Sequence, residues 1–270
     1  MSNPFSIQDI AAFSRPAARY VQLQVIAETG STNADLMAAI HPNSKPTLLI
    51  AEAQTAGRGR AGRSWLSAPQ ASLTFSLAWN FALPVQALLG LPLAVGVAIA
   101  ETLAAFDVFV QLKWPNDVLK DGKKLAGILI ETMPAPVDER GYDSQELWAV
   151  IGIGLNLLMP DELEAQIGQA AASIPWLAQL DRNVLMAALL STLCEALAQF
   201  ETEGFPAFEA RWNRLHAFAG QPVAIMDQGH VLQQGIAFGV DAAGCLLLDT
   251  AAGRIAVVAG DVSLRVQQLA

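Results

Sequence analysis

A run of arginine and glycine stands out because the rest of the chain is acidic. The 270 residues include 16 Lys and Arg against 25 Asp and Glu, a formal charge of −9 at pH 7, yet no acidic residue lies between Glu52 and Glu101. That interval contains Gly57-Arg58-Gly59-Arg60-Ala61-Gly62-Arg63. Glycines let main-chain N–H groups approach a ligand closely, and three neighbouring guanidinium groups repel one another unless an anion is present. The motif indicates a loop that binds a phosphate or a carboxylate; a solvated basic turn is the alternative.

A second group of charges follows a predicted strand. Lys113-Trp114-Pro115-Asn116-Asp117 places a cation, an amide and a carboxylate where the chain must turn, because Pro115 has no N–H and keeps Trp114 extended. Lys123-Lys124-Leu125-Ala126-Gly127 comes shortly after it. A carboxylate beside several cations can hold a lysine in place or ligate Mg²⁺ through oxygen. Simple turn formation by Asn116-Asp117 is the alternative.

A third motif interrupts a strongly apolar strand with two glycines. In Gly152-Ile153-Gly154-Leu155-Asn156 the glycines are two residues apart, so they leave one face of the strand without side chains. Such a face can accept a planar ring, and Asn156 has the donor and acceptor groups to bind the edge of that ring. A β-bulge or a closely packed helix is the alternative.

Several common kinds of active site are excluded. The sequence contains neither the G-x-x-x-x-G-K-[ST] phosphate loop nor the G-x-S-x-G nucleophile motif. Its histidines, His41, His216 and His230, are far apart, and Cys194 and Cys245 form no C-x-x-C pair. These patterns argue against a zinc site, a nucleophilic triad and a disulfide framework. We expect two reduced, buried thiols.

Charge and hydropathy also restrict the partners. A chain of charge −9 offers no general surface for nucleic acid or for an anionic membrane. Residues 1–10 contain Asp9 and no apolar run behind basic residues, so no signal peptide is indicated. The longest uncharged apolar stretch, residues 87–100, is shorter than the roughly 20 residues that a bilayer span needs, and it indicates a core helix. We therefore expect a cytoplasmic protein that binds neither DNA nor a membrane.

Strands and helices that alternate along the chain must position these motifs. Alternating apolar residues predict a strand at residues 21–25, apolar runs bounded by Gly, Pro, Asn and Asp predict the strands from residue 73 onward, and a period of three to four residues predicts helices. Side-chain oxygens of Ser31-Thr32-Asn33 are expected to cap the first helix. The predicted strands are residues 21–25, 47–52, 73–79, 109–114, 125–132 and 148–157, and the predicted helices are residues 34–40, 85–106, 181–203 and 205–218. This order favours α/β or α+β with a mixed sheet.

Two further segments differ from the rest. After a boundary near Ala219, short β-like runs separated by tight turns predict a small antiparallel barrel. Residues 134–145 lie between two apolar strands and are rich in turn-forming and charged residues, so they predict a surface loop whose function the sequence does not indicate.

Taken in order, the motifs closely resemble those of biotin protein ligases, enzymes that attach biotin to biotin-dependent carboxylases. The resemblance spans about residues 21–266, and it rests on the β-rich tail and on residues 31–33, 54–63, 113–117, 124–128 and 152–156. Five motifs in the same order identify a family far more specifically than any one of them. At each motif the resemblance therefore favours the ligand-binding interpretation over the structural alternative. The resemblance implies an α+β fold: an N-terminal extension (1–20), a mixed-sheet catalytic domain of the biotin/lipoate ligase type (21–219) and a C-terminal SH3-like barrel (220–270).

The resemblance also implies a reaction in two steps. The carboxylate of biotin would attack the α-phosphate of Mg·ATP to give biotinyl-5′-AMP and pyrophosphate. A lysine of a biotin carboxyl carrier protein, such as that of acetyl-CoA carboxylase, would then take the acyl group and release AMP. Because the first step joins an anion to a polyanion, the expected contribution of the cations is to neutralise charge at the α-phosphorus.

Roles for individual residues follow from the same resemblance. The loop at residues 57–65 is expected to close over the adenylate as a lid. The biotin-binding set is Ser31, Thr32, Asn33, Gln54, Arg58, Gly59, Arg60, Lys124, Gly127 and Gly154. The set that binds ATP or the adenylate is Arg58, Arg60, Trp65, Lys113, Asn116, Lys124 and Asn156. The catalytic set is Arg60, Lys113, Lys124 and Asp117, and Asp117 is the candidate for positioning Mg²⁺ or a lysine.

The sequence departs from the family pattern in two places. The family usually has proline directly after the serine of the lid's exit and glycine further on, where this chain has Ala68 and Gln70. Only 20 residues precede Val21, so we expect a form without the N-terminal DNA-binding domain of family members that are also repressors. A lipoate-type ligase, a non-catalytic biotin sensor and an interaction protein built around the terminal barrel are the alternatives, and the protein could be a monomer or a homodimer.

Overall fold

The described residues of the protein form a mixed sheet of seven strands and an antiparallel sheet of five. The computed structural model describes residues 4–136, 146–167, 171–227, 229–260 and 262–266. The first sheet has the order β1-β2-β3-β7-β6-β5-β4, with β1 and β2 parallel and the other neighbours antiparallel. Its strands are β1 (Gln22–Thr29), β2 (Thr47–Gln54), β3 (Ser72–Phe81), β4 (Gln111–Lys113), β5 (Asp117–Lys120), β6 (Lys123–Pro134) and β7 (Leu147–Asn156).

Helices cover both faces of this sheet. They are α1 (Ile7–Phe13), α2 (Thr32–Ala39), α3 (Leu91–Ala104), α4 (Asp161–Ile167), α5 (Arg182–Glu203) and α6 (Pro206–Arg214). The main core lies between the sheet and α3 and α5. On the opposite face α2 packs in a smaller cluster with β2 and β7. The predicted α+β fold with a mixed sheet is confirmed.

The longest helix follows directly from its sequence. The Asp181 side chain accepts a hydrogen bond from the Asn183 N–H and caps the N-terminus, and Gly204, with φ at 67°, ends the helix. Leucines at four-residue spacing along α5 are buried, so the apolar stripe faces the core, where α5 packs on α3.

Within the described part of the chain, two helical segments are long and apolar enough to cross a membrane, Val85–Ala104 and Arg182–Glu203. The expectation that the first is too short was wrong, because a 3₁₀ turn at Val85–Leu88 precedes α3. In the most apolar windows of these segments, 72% and 67% of the window is buried inside the protein. The prediction of a core helix is therefore supported by the burial of this segment and not by its length.

Residues 109–114 were expected to form a buried strand. The strand observed there, β4, contains only Gln111–Lys113 and lies at the edge of the sheet. Val110 and Leu112 point inward, whereas Phe109 is 72% exposed. Because residues 108–110 are all apolar, the sequence did not show that their side chains alternate between the core and the solvent. Sequence patterns also missed α1, α4 and β5, which are all short; β5 occupies the position where only a turn was expected.

The C-terminal part is the five-stranded sheet, in the order β11-β10-β9-β8-β12. Its strands are β8 (Pro222–Asp227), β9 (His230–Val240), β10 (Leu246–Thr250), β11 (Gly253–Val257) and β12 (Ser263–Val266). The antiparallel pairing agrees with the expected small barrel. Closure into an SH3-like barrel stays a prediction. Most of the expected 134–145 loop lies outside the described residues.

The two sheets meet close to the Lys113 to Asp117 motif. Trp114 is fully buried, and its indole N–H donates to the carbonyl of Gly244 over 3.2 Å. The Asn213 side chain accepts from the Val240 N–H and donates to the Val240 carbonyl. At the other end of the chain, Asn183 accepts from the N–H of Ser6 and holds the segment before α1 against α5.

Candidate functional site

The predicted site residues converge on one cavity of about 360 Å³. It lies on the face of the large sheet that carries α2, next to the loop that joins β2 and β3. Every predicted site residue lines it except Lys113 and Asp117. Residues outside the predicted biotin, ATP and catalytic sets also line it, some of them from the same motifs, namely Arg63, Ser64, Leu66, Phe75, Ile128, Leu129, Gly152, Ile153, Gln166, Ile167 and Ala171.

The cavity opens where glycines replace larger residues along one face of β7. Alternate residues of a strand share a face. Trp148 and Val150 pack against α2, and Gly152 and Gly154 then remove side chains from the same row. A Cβ on Gly152 would lie 2.3 Å from Asn33 Oδ1, and one on Gly154 would lie 2.2 Å from Trp65 Cε2. Both glycines are therefore required by the Asn33 amide and the Trp65 indole that lie directly on the strand.

The floor of the cavity is a buried hydrogen-bond network at the start of α2. Ser31 caps this helix as predicted. The main-chain N–H and the hydroxyl of Thr32 both donate to Gln54 Oε1, over 2.8 and 3.0 Å, and the same hydroxyl lies 2.7 Å from Ser76 Oγ. Ser76 was missed, although hydroxyl residues at positions 72, 74 and 76 of an apolar strand gave a signal. These groups can donate to and accept from a neutral polar ligand.

The arginine-glycine loop closes on itself. The Trp65 N–H donates to the Gly57 carbonyl over 2.8 Å, and the Gly59 N–H donates to the Arg63 carbonyl over 2.6 Å. A Cβ on Gly57 would lie 2.4 Å from the Trp65 carbonyl oxygen, so only glycine permits this closure. Past the loop, Gln70 has φ at 62°, a left-handed conformation that favours glycine. This is the position where the family pattern has glycine.

Separate partners hold the guanidinium groups apart. Arg58 forms an ion pair with Glu131 at 2.9 Å. Arg60 donates to Asn116 Oδ1 over 3.1 Å and to the carbonyl of Gly260 in the C-terminal sheet region. Asn116 in turn donates to the Ile128 carbonyl over 2.8 Å, which fixes its orientation. The loop is thus tied both to β6 and to the C-terminal part.

Asp117 lies between two lysines. Lys124 Nζ is 2.6 Å from one carboxylate oxygen and Lys113 Nζ is 3.5 Å from the other. Burial raises the pKa of Asp117, but Lys124 and Lys113 together outweigh burial and hold that pKa below its ordinary value. Burial, reinforced by Arg265 and Lys124, lowers the pKa of Lys113 although Asp117 opposes the shift. Asp117 thus lies in contact with both lysines, and its part in positioning Mg²⁺ stays a prediction.

Lys124 connects this charge cluster to the cavity. Its ammonium group lies 5.6 Å from the centre of the Trp65 ring. A Cβ on Gly127 would lie 3.1 Å from both Cε and Nζ of Lys124, so the glycine leaves room for the lysine. Asn156 is almost fully buried at the end of the β7 row, and its Oδ1 accepts no hydrogen bond from the described residues.

Two parts of the chain match known family models. Residues 25–142 match the biotin/lipoate A/B protein ligase family, and residues 218–265 match the biotin protein ligase C-terminal domain. The bifunctional ligase/repressor BirA of Escherichia coli is 36% identical over 237 residues, which cover 87% of this chain and 71% of that protein. The biotin–[acetyl-CoA-carboxylase] ligase of Mycobacterium tuberculosis is 36% identical over 250 residues, or 89% and 88% of the two chains.

The fold is similar to that of a solved ligase. The biotin protein ligase of Aquifex aeolicus, in complex with biotin and ATP, superimposes with a TM-score of 0.73 at 29% identity, and the match covers 91% of this chain and 99% of that one. Since relatives align over most of their length and both sheets match the same group of enzymes, the chain belongs to the biotin protein ligase family.

Proposed function

We propose that this protein is an ATP-dependent ligase that activates biotin as biotinyl-5′-AMP and transfers biotin to a lysine of a biotin carboxyl carrier protein. One observation carries the proposal: in a chain of charge −9, Arg58, Arg60 and Lys124 line the same cavity as the polar network of Thr32 and Gln54. The network suits the uncharged ureido group of biotin, and the cations suit its carboxylate and the phosphates of ATP.

In the first step a carboxylate oxygen of biotin attacks the α-phosphorus of ATP. The bond from that phosphorus to the oxygen bridging to the β-phosphate breaks, and pyrophosphate leaves. We assign Lys124, supported by Asp117, to the forming bond, and Arg58 and Arg60 to the phosphate oxygens. Positive groups fixed in advance stabilise the charge that gathers there, and the loss of one such donor typically costs about 10²–10³ in rate.

Mg²⁺ is proposed to arrive with ATP. Among the described residues no three His, Cys, Asp or Glu side chains lie close enough together to hold a metal ion. Because Mg²⁺ in nucleotide sites is bound largely by phosphate oxygens and water, this donor set fits an ion carried by the substrate. Lys113 and the ionised Asp117 would keep Lys124 in place beside it.

In the second step the neutral amine of the carrier lysine attacks the acyl carbonyl of the adenylate. The bond to the phosphate oxygen of AMP breaks, AMP leaves, and the amine gives up a proton to water. We assign the closed loop at residues 57–65 to excluding water until the carrier arrives, since acyl-adenylates hydrolyse readily. Residues 21–219 would form the catalytic part and residues 220–270 the C-terminal barrel; a cytoplasmic location and the acetyl-CoA carboxylase carrier stay predictions.

Mass spectrometry of a carrier-domain peptide tests this proposal. After incubation with the protein, biotin and Mg·ATP, the peptide should gain one biotinyl group on one lysine, and omission of ATP should prevent the gain. A parallel incubation with lipoate tests the lipoate-type alternative. Preferential lipoylation, or biotin binding without any modification of the peptide, would overturn the proposal.

A further inference from the structure

A single carboxylate joins the floor of the cavity to the arginine-glycine loop. Glu131 lies on β6, on the same face as Gly127 and Leu129, which line the cavity. Its Oε2 accepts a hydrogen bond from Asn33 Nδ2 over 2.9 Å and another from Arg58 Nη2 over 2.9 Å. Asn33 belongs to α2 and Arg58 to the loop, so one oxygen connects two elements that are separate in the sequence.

The contact fixes the orientation of a buried amide. Asn33 is 3% exposed. Its Nδ2 donates to Glu131 and, over 3.4 Å, to the carbonyl of Leu129, while its Oδ1 accepts from Ser76 Oγ over 2.5 Å. An amide with donors and acceptors assigned on both sides cannot rotate without losing bonds. Glu131, which makes the shorter of the two bonds from Nδ2, therefore helps to set which atom of Asn33 lies over Gly152.

The same contact places a guanidinium group at the cavity. The side chains of Arg58 and Glu131 are 46% and 29% exposed, and an isolated ion pair with that exposure contributes little. Here, however, the buried Asn33 already holds the carboxylate, so less side-chain freedom is lost when Arg58 binds to it. Arg58 is in this way held at the cavity before an anionic ligand arrives.

We propose that Glu131 is a positioning residue for biotin: it orients Asn33 and holds Arg58, and so couples the polar floor of the site to the loop. This inference rests on the proposed biotin ligase function. It assigns Glu131 no contact with the reacting atoms. Two separate contributions follow, one through charge and one through the acceptor oxygen, and two substitutions separate them.

Biotin-dependent exchange of labelled pyrophosphate into ATP is the assay. Glu131→Gln keeps an acceptor for Asn33 and removes the charge opposite Arg58; Glu131→Ala removes both. We expect the biotin concentration at half-maximal rate to rise about threefold for Glu131→Gln and about tenfold or more for Glu131→Ala, with maximal rates within roughly twofold of the unmodified protein. Glu146→Gln, which removes an exposed carboxylate that accepts from Asn80, is the matched control and should change nothing.

A double-mutant cycle distinguishes positioning from a general effect on the fold. If Glu131 acts through Arg58, the Glu131→Gln effect should disappear when Arg58→Ala is already present. The inference fails if both Glu131 variants match Glu146→Gln, if they lower the maximal rate without changing the biotin dependence, or if the Glu131 and Arg58 effects add. Absence of biotin-dependent exchange in the unmodified protein would instead count against the proposed function.

Discussion

At the scale of single residues, the site depends on groups whose charge is set by their neighbours. Asp117 is a carboxylate between Lys113 and Lys124, and these lysines keep it ionised at neutral pH although it is largely buried. Its negative charge partly offsets the two positive charges and fixes the position of Lys124. The contact with Asp117 thus holds the Lys124 side chain in one orientation beside the cavity.

Gln70 offers a test of backbone strain beside the loop. A non-glycine residue in the left-handed region costs roughly 1 kcal/mol, part of which glycine gives back as greater freedom of the unfolded chain. Gln70 has φ at 62° and is exposed, so we expect Gln70→Gly to raise the free energy of unfolding by about 0.5 kcal/mol.

Urea denaturation measures this change. The control is Gln111→Gly on the edge strand β4, where φ is not in the left-handed region and glycine should be destabilising. Equal losses of stability in both variants would contradict the account of Gln70.

At the scale of elements, the loop at residues 57–65 is held by contacts from three sides. Trp65 lies on Gly154 of β7, Arg58 contacts Glu131 of β6, and Arg60 reaches Asn116 and Gly260. Main-chain hydrogen bonds from Gly59 to Arg63 and from Trp65 to Gly57 hold the loop together internally, so we expect it to open and close as a unit. That behaviour is what a lid over a hydrolysable intermediate requires.

Arg60→Gly should weaken retention of the adenylate. The substitution removes the contacts of the side chain with Asn116 and Gly260, and glycine also makes the loop more flexible. We expect severalfold more biotin on lysines of bystander proteins in a mixed-protein labelling assay. Arg19→Gly replaces an exposed arginine outside the cavity and should not alter selectivity. Unchanged acceptor selectivity in the Arg60 variant would contradict the lid assignment.

The longer helices and strands could be predicted from the sequence, whereas the contacts between distant elements could not. Leucines at four-residue spacing were enough to predict α5, and apolar runs bounded by turn-forming residues were enough for β3, β6 and β7. The positions of Trp65 over Gly154 and of Glu131 beside Arg58 depend on how distant strands pair, which no local pattern contains. A signal for Glu131 existed, since it is one charge in the apolar run of β6, but nothing nearby in the sequence indicated its partners.

At the scale of the whole molecule, the join between the two sheets should respond to acid. His216 is 6% exposed and packs against Trp212 with the ring centres 4.8 Å apart, and neither of its ring nitrogens has a hydrogen-bond partner among the described residues. Burial lowers the pKa of His216 to about 4 from an ordinary value of 6.5. The unfolded chain therefore binds more protons than the folded one between these values, and stability falls as pH decreases from 6.5 towards 4.

Thermal or urea unfolding between pH 7 and pH 4 measures this loss, which we expect to be on the order of 3 kcal/mol. His216→Phe keeps the aromatic contact with Trp212 and should flatten the curve across this range. Asp117 makes no comparable contribution there, because a carboxylate with a lowered pKa loses its stabilising effect only below its ordinary value of 3.8. An unchanged slope in the Phe variant would show that other groups cause the acid sensitivity.

Exchange of labelled pyrophosphate into ATP tests most directly whether the cations of this cavity join biotin to ATP. The unmodified protein should catalyse exchange only when biotin is present, Lys124→Ala should reduce the rate by about 10²–10³, and Lys120→Ala, at a surface lysine paired with Asp121, should leave it unchanged. Exchange that needs no biotin, or that persists near the normal rate in the Lys124 variant, would contradict the account.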